Sequence, residues 1–171
     1  MNTIWIKYGL TLGVIIMMMQ ILIYYFLDIS MFLFSISYYI LLFIIMILAG
    51  LGHRKTNNQT LTYGESFKTT LLTGALGTLI GNIMMMVLVN FIDPGLVDVI
   101  LEKSISSVQS LVLAFGGPEQ GVSEAIEKIE EELPKQLTVT GHIKSFFSAM
   151  IFVVVMAAVV SVFVRKEKTM N

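Results

Sequence analysis

Four stretches of this chain, residues 8–27, 29–52, 69–92 and 145–164, contain no ionisable side chain other than tyrosine. Each reaches the roughly 20 residues a helix needs to cross a ~30 Å hydrocarbon core. From Ile4 to Gly52 the only charges at neutral pH are Lys7 and Asp28. As one helix those residues would extend about 73 Å at ~1.5 Å per residue, too long for one crossing. The chain must therefore turn, and Asp28 and Ser30 supply the turn and cap chemistry near the middle. Composition agrees: 13% of residues are charged, against roughly 25% in soluble domains.

The first apolar stretch resembles a signal peptide but exceeds the usual core of roughly 7 to 15 residues, and no small-x-small cleavage pattern follows it. It reads as a retained span. The expectation is an all-α integral membrane protein forming one membrane domain over residues 1–171. Its four transmembrane helices are placed at about 4–27, 31–52, 67–92 and 142–164, with an extracytoplasmic amphipathic helical hairpin, 94–135, between helices 3 and 4. Lys7, Arg54, Lys55, Lys68, Arg165, Lys166 and Lys168 share one side of this arrangement with only Glu65 and Glu167. Asp28 and the acid-rich segment from Asp93 to Lys144 fall on the other. Positive charge concentrates on the cytoplasmic side, so Arg54, Lys55, Arg165 and Lys166 act as topology signals and both termini are expected inside.

Within the outer segment, Asp93 and Pro94 read as a helix start, with the carboxylate as cap and proline in the first position. Val97, Leu101, Ser104 or Ile105, Val108, Val112 and Phe115 then recur at helical spacing, and Gly116, Gly117 and Pro118 end the run. A second helix, roughly 119–133, aligns Val122, Ile126, Ile129 and Leu133, and Pro134 is expected to stop it. The two helices pack their apolar faces together or rest on the lipid interface. Glu130, Glu131 and Glu132 lack the spaced oxygen ligands of a calcium loop.

The third span carries "TTLLTGALGTLIGN". Gly74, Gly77 and Gly81 share a face with Thr70, and the Gly77–Gly81 spacing lets two backbones approach closely. Gly9 and Gly13 form a matching pair in span one. Close packing of spans one and three is the expectation, with a homodimer through span three as the alternative. "GLTLGVIIMMM" (9–19) and "GTLIGNIMMM" (77–86) are loosely alike.

Gln20, Asn82 and Asn90 are the intramembrane polar candidates, since polar groups are costly there and need partners across helices. His53 and His142 lie near opposite membrane faces and cannot share a metal or a catalytic centre. His142, Ser145 and Asp28 or Asp93 assemble into a triad only on paper, without a G-x-S-x-G elbow. The absence of cysteine excludes disulfides, thiolate metal sites and thiol nucleophiles. No catalytic residue, metal, cofactor or nucleic-acid partner is expected.

In the loop before span three, Thr62 and Glu65 have the spacing of a capping box, which raises the question whether Tyr63–Phe67 forms a short interfacial helix that fixes the glycine face of span three against its neighbours. This region also carries a resemblance. The basic pair Arg54–Lys55, then "LTYGESFKTTLLTG", a glycine-bearing span and the exit "VNFIDPG" resemble the bacterial four-span membrane family catalogued as domain of unknown function 4199. Tyr63, Gly64, Phe67, Gly74, Asp93 and Pro94 are its sharpest residues. The resemblance implies four spans and an acidic outer segment in a bacterial inner membrane protein, and it transfers no activity. The functional expectation is a non-enzymatic accessory or scaffold subunit of an envelope complex, with the lipid bilayer and a protein partner or further copies of itself as neighbours. A small oligomeric transporter or channel using Gln20, Asn82 and Asn90 is the alternative.

Overall fold

The structure is a computed structural model describing residues 3–27, 29–116 and 118–166. Asp28, Gly117, Glu167 and Lys168, named above for their turn or charge roles, lie outside the described residues. Six α-helices follow one another: α1 (Ile4–Tyr25), α2 (Met31–Thr56), α3 (Tyr63–Val87, extended by a π turn over Leu88–Ile92), α4 (Leu96–Ala114), α5 (Glu119–Gln136) and α6 (Val139–Val164). α1, α2, α3 with its π turn, and α6 are each long and apolar enough to cross a membrane. Lipid offers no partner to a bare peptide group, so helices that satisfy their own backbones are the form such segments take. The chain is a multi-pass, all-α membrane protein, with α4 and α5 forming a hairpin between the third and fourth spans.

α3 is the central helix, packed against α1, α2 and α6. Gly9 and Gly13 of α1 receive Leu76 and Ile80, while Gly77 and Gly81 of α3 receive Leu12 and Ile16. Cβ atoms built at Gly9 and Gly77 would sit 2.9 Å from the Cβ of Leu76 and of Leu12, and one at Gly13 would sit 2.7 Å from that of Ile80. Those neighbours are anchored to their own backbones, so no rotamer change relieves the overlap and only glycine admits this approach. The register advances in the same sense along both helices, so α1 and α3 run parallel. Gly74 instead receives Val153 of α6. Leu12, Ile16, Leu42, Met46, Val153, Ala157, Val160 and Val164 complete this core.

One boundary of α3 departs from the sequence reading, its start. Thr62 Oγ1 accepts from the Glu65 amide and the Glu65 carboxylate accepts from the Thr62 amide, completing a capping box. Helix therefore starts at Tyr63 and continues into the span. No separate interfacial helix forms; Tyr63 and Phe67 stack as neighbours one turn apart, ring centroids 6.2 Å away.

The hairpin is fastened to the spans rather than suspended from them. Helix ends leave unpaired amides and carbonyls, and α4 serves those of the α1–α2 turn. Lys103 Nζ donates to the carbonyls of Ile23 (3.2 Å) and Leu27 (2.7 Å), where a cation also opposes the helix dipole. Ser107 Oγ accepts from the first amide of α2, at Met31 (2.8 Å). The buried face of α4 is accordingly Leu96, Ile100 and Ser107, rotated from the stripe beginning at Val97. Asp93 does not cap α4, which begins at Leu96 after a Pro94–Gly95 turn. Its carboxylate accepts instead from the Tyr25 hydroxyl (2.7 Å). Pro134 likewise does not stop α5, which runs on to Gln136. The proline forfeits one bond, to the carbonyl of Glu130, an exposed residue whose carbonyl water can serve.

Candidate functional site

The two halves of the bundle are packed differently. Every buried residue of α2 lies at or beyond Leu42. In α6, residues 143–152 contain no buried position. Near the hairpin end, α2 and α6 therefore diverge and leave a wedge whose floor is α1 and α3. Tyr39 and Phe152 meet across it, ring centroids 6.1 Å apart.

Inside the wedge is a cavity of about 270 Å³. Gln20 from α1, Ser35 and Tyr38 from α2, Thr78 and Asn82 from α3, and His142 and Ser145 from α6 give it polar walls. Ile16, Phe34, Met85 and Ala149 give it apolar ones. Tyr38 Oη and Thr78 Oγ1 are hydrogen-bonded at 3.1 Å. Gln20 Oε1 and His142 Nε2 are buried without a partner, although a buried polar atom ordinarily has one. His142 is only 5% exposed. Tyr39, Ser145 and Ala149 also line a wider groove of about 780 Å³ that continues outward past Lys135 and Lys144. Lys135 pairs with Glu131 at 2.9 Å and holds that carboxyl below the usual carboxylate range.

Beyond the cavity, towards the chain termini, α3 continues as a seam of small polar residues. Ser66, Thr69, Thr70 and Thr73 are buried there with Ser161 of α6. Thr70 donates back to the Ser66 carbonyl (3.0 Å) and Thr73 to that of Thr69 (2.8 Å), which lets hydroxyls sit in a span at little cost. Thr70 Oγ1 and Ser161 Oγ also meet at 3.2 Å, and His53 Nδ1 lies 2.6 Å from Thr69 Oγ1. Thr73, Thr78, Tyr38 and Ser161 were not singled out from sequence. For Thr73 and Thr78 the signal was present in α3, whose hydroxyls share the helical face of Gly74, Gly77 and Gly81; Tyr38 in α2 and Ser161 in α6 carried none.

Gln20 and Asn82 meet in the cavity, whereas Asn90 does not line it. Asn90 Nδ2 instead donates to the carbonyls of Met86 and Leu137, both at 2.9 Å, fastening the end of the third span to the α5–α6 junction. At the opposite end of the bundle, Arg54 donates to the Val164 carbonyl (3.3 Å), and Lys166 forms a backbone bridge with Leu61. Lys55 and Arg165 are exposed. Two further glycines matter: Gly50 receives Val164, and Gly141 faces the carbonyls of Lys135 and Gln136 with no room for a side chain.

Among the described residues, no group of three or more His, Asp or Glu side chains is placed to hold a metal ion. His142 and Ser145 line the same cavity, while the Asp93 carboxylate is engaged by Tyr25. The arrangement can donate and accept hydrogen bonds within an apolar setting. No curated protein matches the chain, and no solved structure matches it. A family model described as "Protein of unknown function (DUF4199)" does match, over residues 7–166, and the chain belongs to that family.

Proposed function

We propose that the chain is a non-enzymatic accessory or scaffold subunit of an envelope membrane complex, seated in the bacterial inner membrane with both termini in the cytoplasm. The observation that carries this reading is the attachment of the outer hairpin. Lys103 and Ser107 tie α4 to the ends of α1 and α2, while α5 keeps Glu124, Glu127, Lys128, Glu130, Glu131 and Glu132 exposed. A hairpin held in place with one polar face unused is a platform for a partner. Solubilisation in a mild detergent at native expression should leave the protein in a species larger than its own micelle. Migration as a solitary monomer would count against the reading.

A second reading, transport of a small molecule, is favoured by the meeting of Gln20 and Asn82 in one cavity. Because Asn90 is engaged elsewhere, the two asparagines separate the readings. Under the transport reading, Asn82→Leu abolishes flux in proteoliposomes and Asn90→Leu spares it. Flux unchanged by Asn82→Leu would remove this reading.

A further inference from the structure

We infer that the cavity between α2 and α6 is a binding site for an uncharged, hydroxyl-bearing group, the head of an amphiphile drawn from the membrane or a free small polyol. Size is the first argument. About 270 Å³ holds about nine waters' share of liquid volume, which suits a glycerol-sized group.

Charge is the second argument. Among the described residues no Asp, Glu, Lys or Arg lines the cavity itself, and Glu132, Lys135 and Lys144 lie in the outer groove, so an ion in the inner space would lose its hydration without gaining an adjacent counter-charge. A neutral hydroxyl needs only hydrogen bonds. The walls supply them on several sides, through Gln20, Tyr38, Thr78, Asn82 and His142.

Two polar atoms of the lining residues lack partners. Gln20 Oε1 requires a donor, and His142 Nε2 requires a donor or an acceptor according to its tautomer. Both are buried and unpartnered, and His142 is 95% removed from solvent by its 5% exposure. Both atoms belong to side chains that line the cavity, and because neither atom is open to a water-sized molecule as placed, each would meet a hydroxyl, which donates once and accepts twice, only by turning towards the cavity.

Access is the fourth argument. The cavity opens on the flank of the bundle, between the outer half of α2 and residues 143–152 of α6, where Ser35 and Tyr39 are exposed. Phe34, Met85 and Ala149 make the inner walls partly apolar, and Tyr39 and Phe152 edge the groove that leads outward. A hydroxyl bearing a hydrocarbon tail can enter sideways, head inward, and leave its tail against the exposed aromatic side chains at the opening, Tyr39 and Phe152.

The chain has two histidines, and they give a direct readout. His142 lines the cavity, while His53 is bonded to Thr69 in the other half of the bundle. The full chain, ¹⁵N-labelled at histidine in phosphatidylcholine nanodiscs, is titrated with 1,2-dioctanoylglycerol, with glycerol, and with dioctanoyl phosphatidic acid as an anionic counterpart. The expected result is a saturable shift of the His142 imidazole signal with dioctanoylglycerol, an unmoved His53 signal, and little response to the phosphatidic acid. Saturation by glycerol at the same signal assigns the free polyol as source; saturation by dioctanoylglycerol alone assigns the lipid. Gln20→Leu and Asn82→Leu should each weaken binding by about tenfold or more through loss of a buried hydrogen bond. An unmoved His53 signal in each variant shows that the fold is kept. The inference is overturned if neither neutral probe moves His142 and the cavity holds only water, if phosphatidic acid binds as well, or if both variants titrate like the parent.

Discussion

Gly77 and Gly64 lie on the same helix and differ wholly in what they tolerate. A Cβ at Gly77 meets the Cβ of Leu12 at 2.9 Å, whereas one at Gly64 meets nothing within 4 Å. Gly77→Ala should destabilise the bundle by ~1–3 kcal/mol, the usual cost of overpacking. Gly64→Ala should stabilise it by ~0.5–1 kcal/mol, because alanine loses less freedom in a helix. Thermal unfolding in mild detergent checks both signs. The glycine faces were legible in the sequence because residues four apart return to the same side of a helix. The cavity was not, because an amide in a span can bond its own backbone, a neighbouring helix or a ligand. Gln20 lines the cavity and Asn90 closes a junction, yet nothing local distinguishes them. His142 sat near a span end in the sequence, where its position alone did not show that it is buried.

Among the elements, α3 owes its start to a local device and α4 owes its position to a distant one. Thr62→Ala removes the cap on the Glu65 amide and should cost ~1 kcal/mol, with Thr62→Ser restoring most of it. The readout is hydrogen exchange in the first turn of α3, faster in the alanine variant. In α4, replacing Lys103 with Met and Ser107 with Ala removes the bonds to the α1–α2 turn. Exchange in α4 should then rise well above that of the spans. Equal protection of α4 in parent and variant would mean that apolar packing alone holds the hairpin. The capping box was readable because its parts lie three residues apart. The α4 face, the role of Asp93 and the length of α5 were not, since each depends on a partner far along the chain or on water access at Pro134.

At the scale of the whole molecule, the four spans were legible because a charge-free run of membrane length has few alternatives. The divergence of α2 and α6 was not, because hydropathy is the same for a helix against lipid and one against a neighbour. The proposed orientation is open to a simple check, since the chain contains no cysteine. Glu127→Cys in α5 should react with an impermeant maleimide in intact cells lacking an outer barrier, and Thr56→Cys at the end of α2 should react only after lysis. The reverse pattern would invert the topology. The proposal that the hairpin is a docking platform is tested most directly by photocrosslinking in living membranes from the exposed α5 positions Glu124 and Lys128, followed by identification of the neighbours. The account predicts one recurrent protein adduct from α5, lost when Lys103 and Ser107 are both replaced. Adducts to lipid alone, at every position, would contradict it.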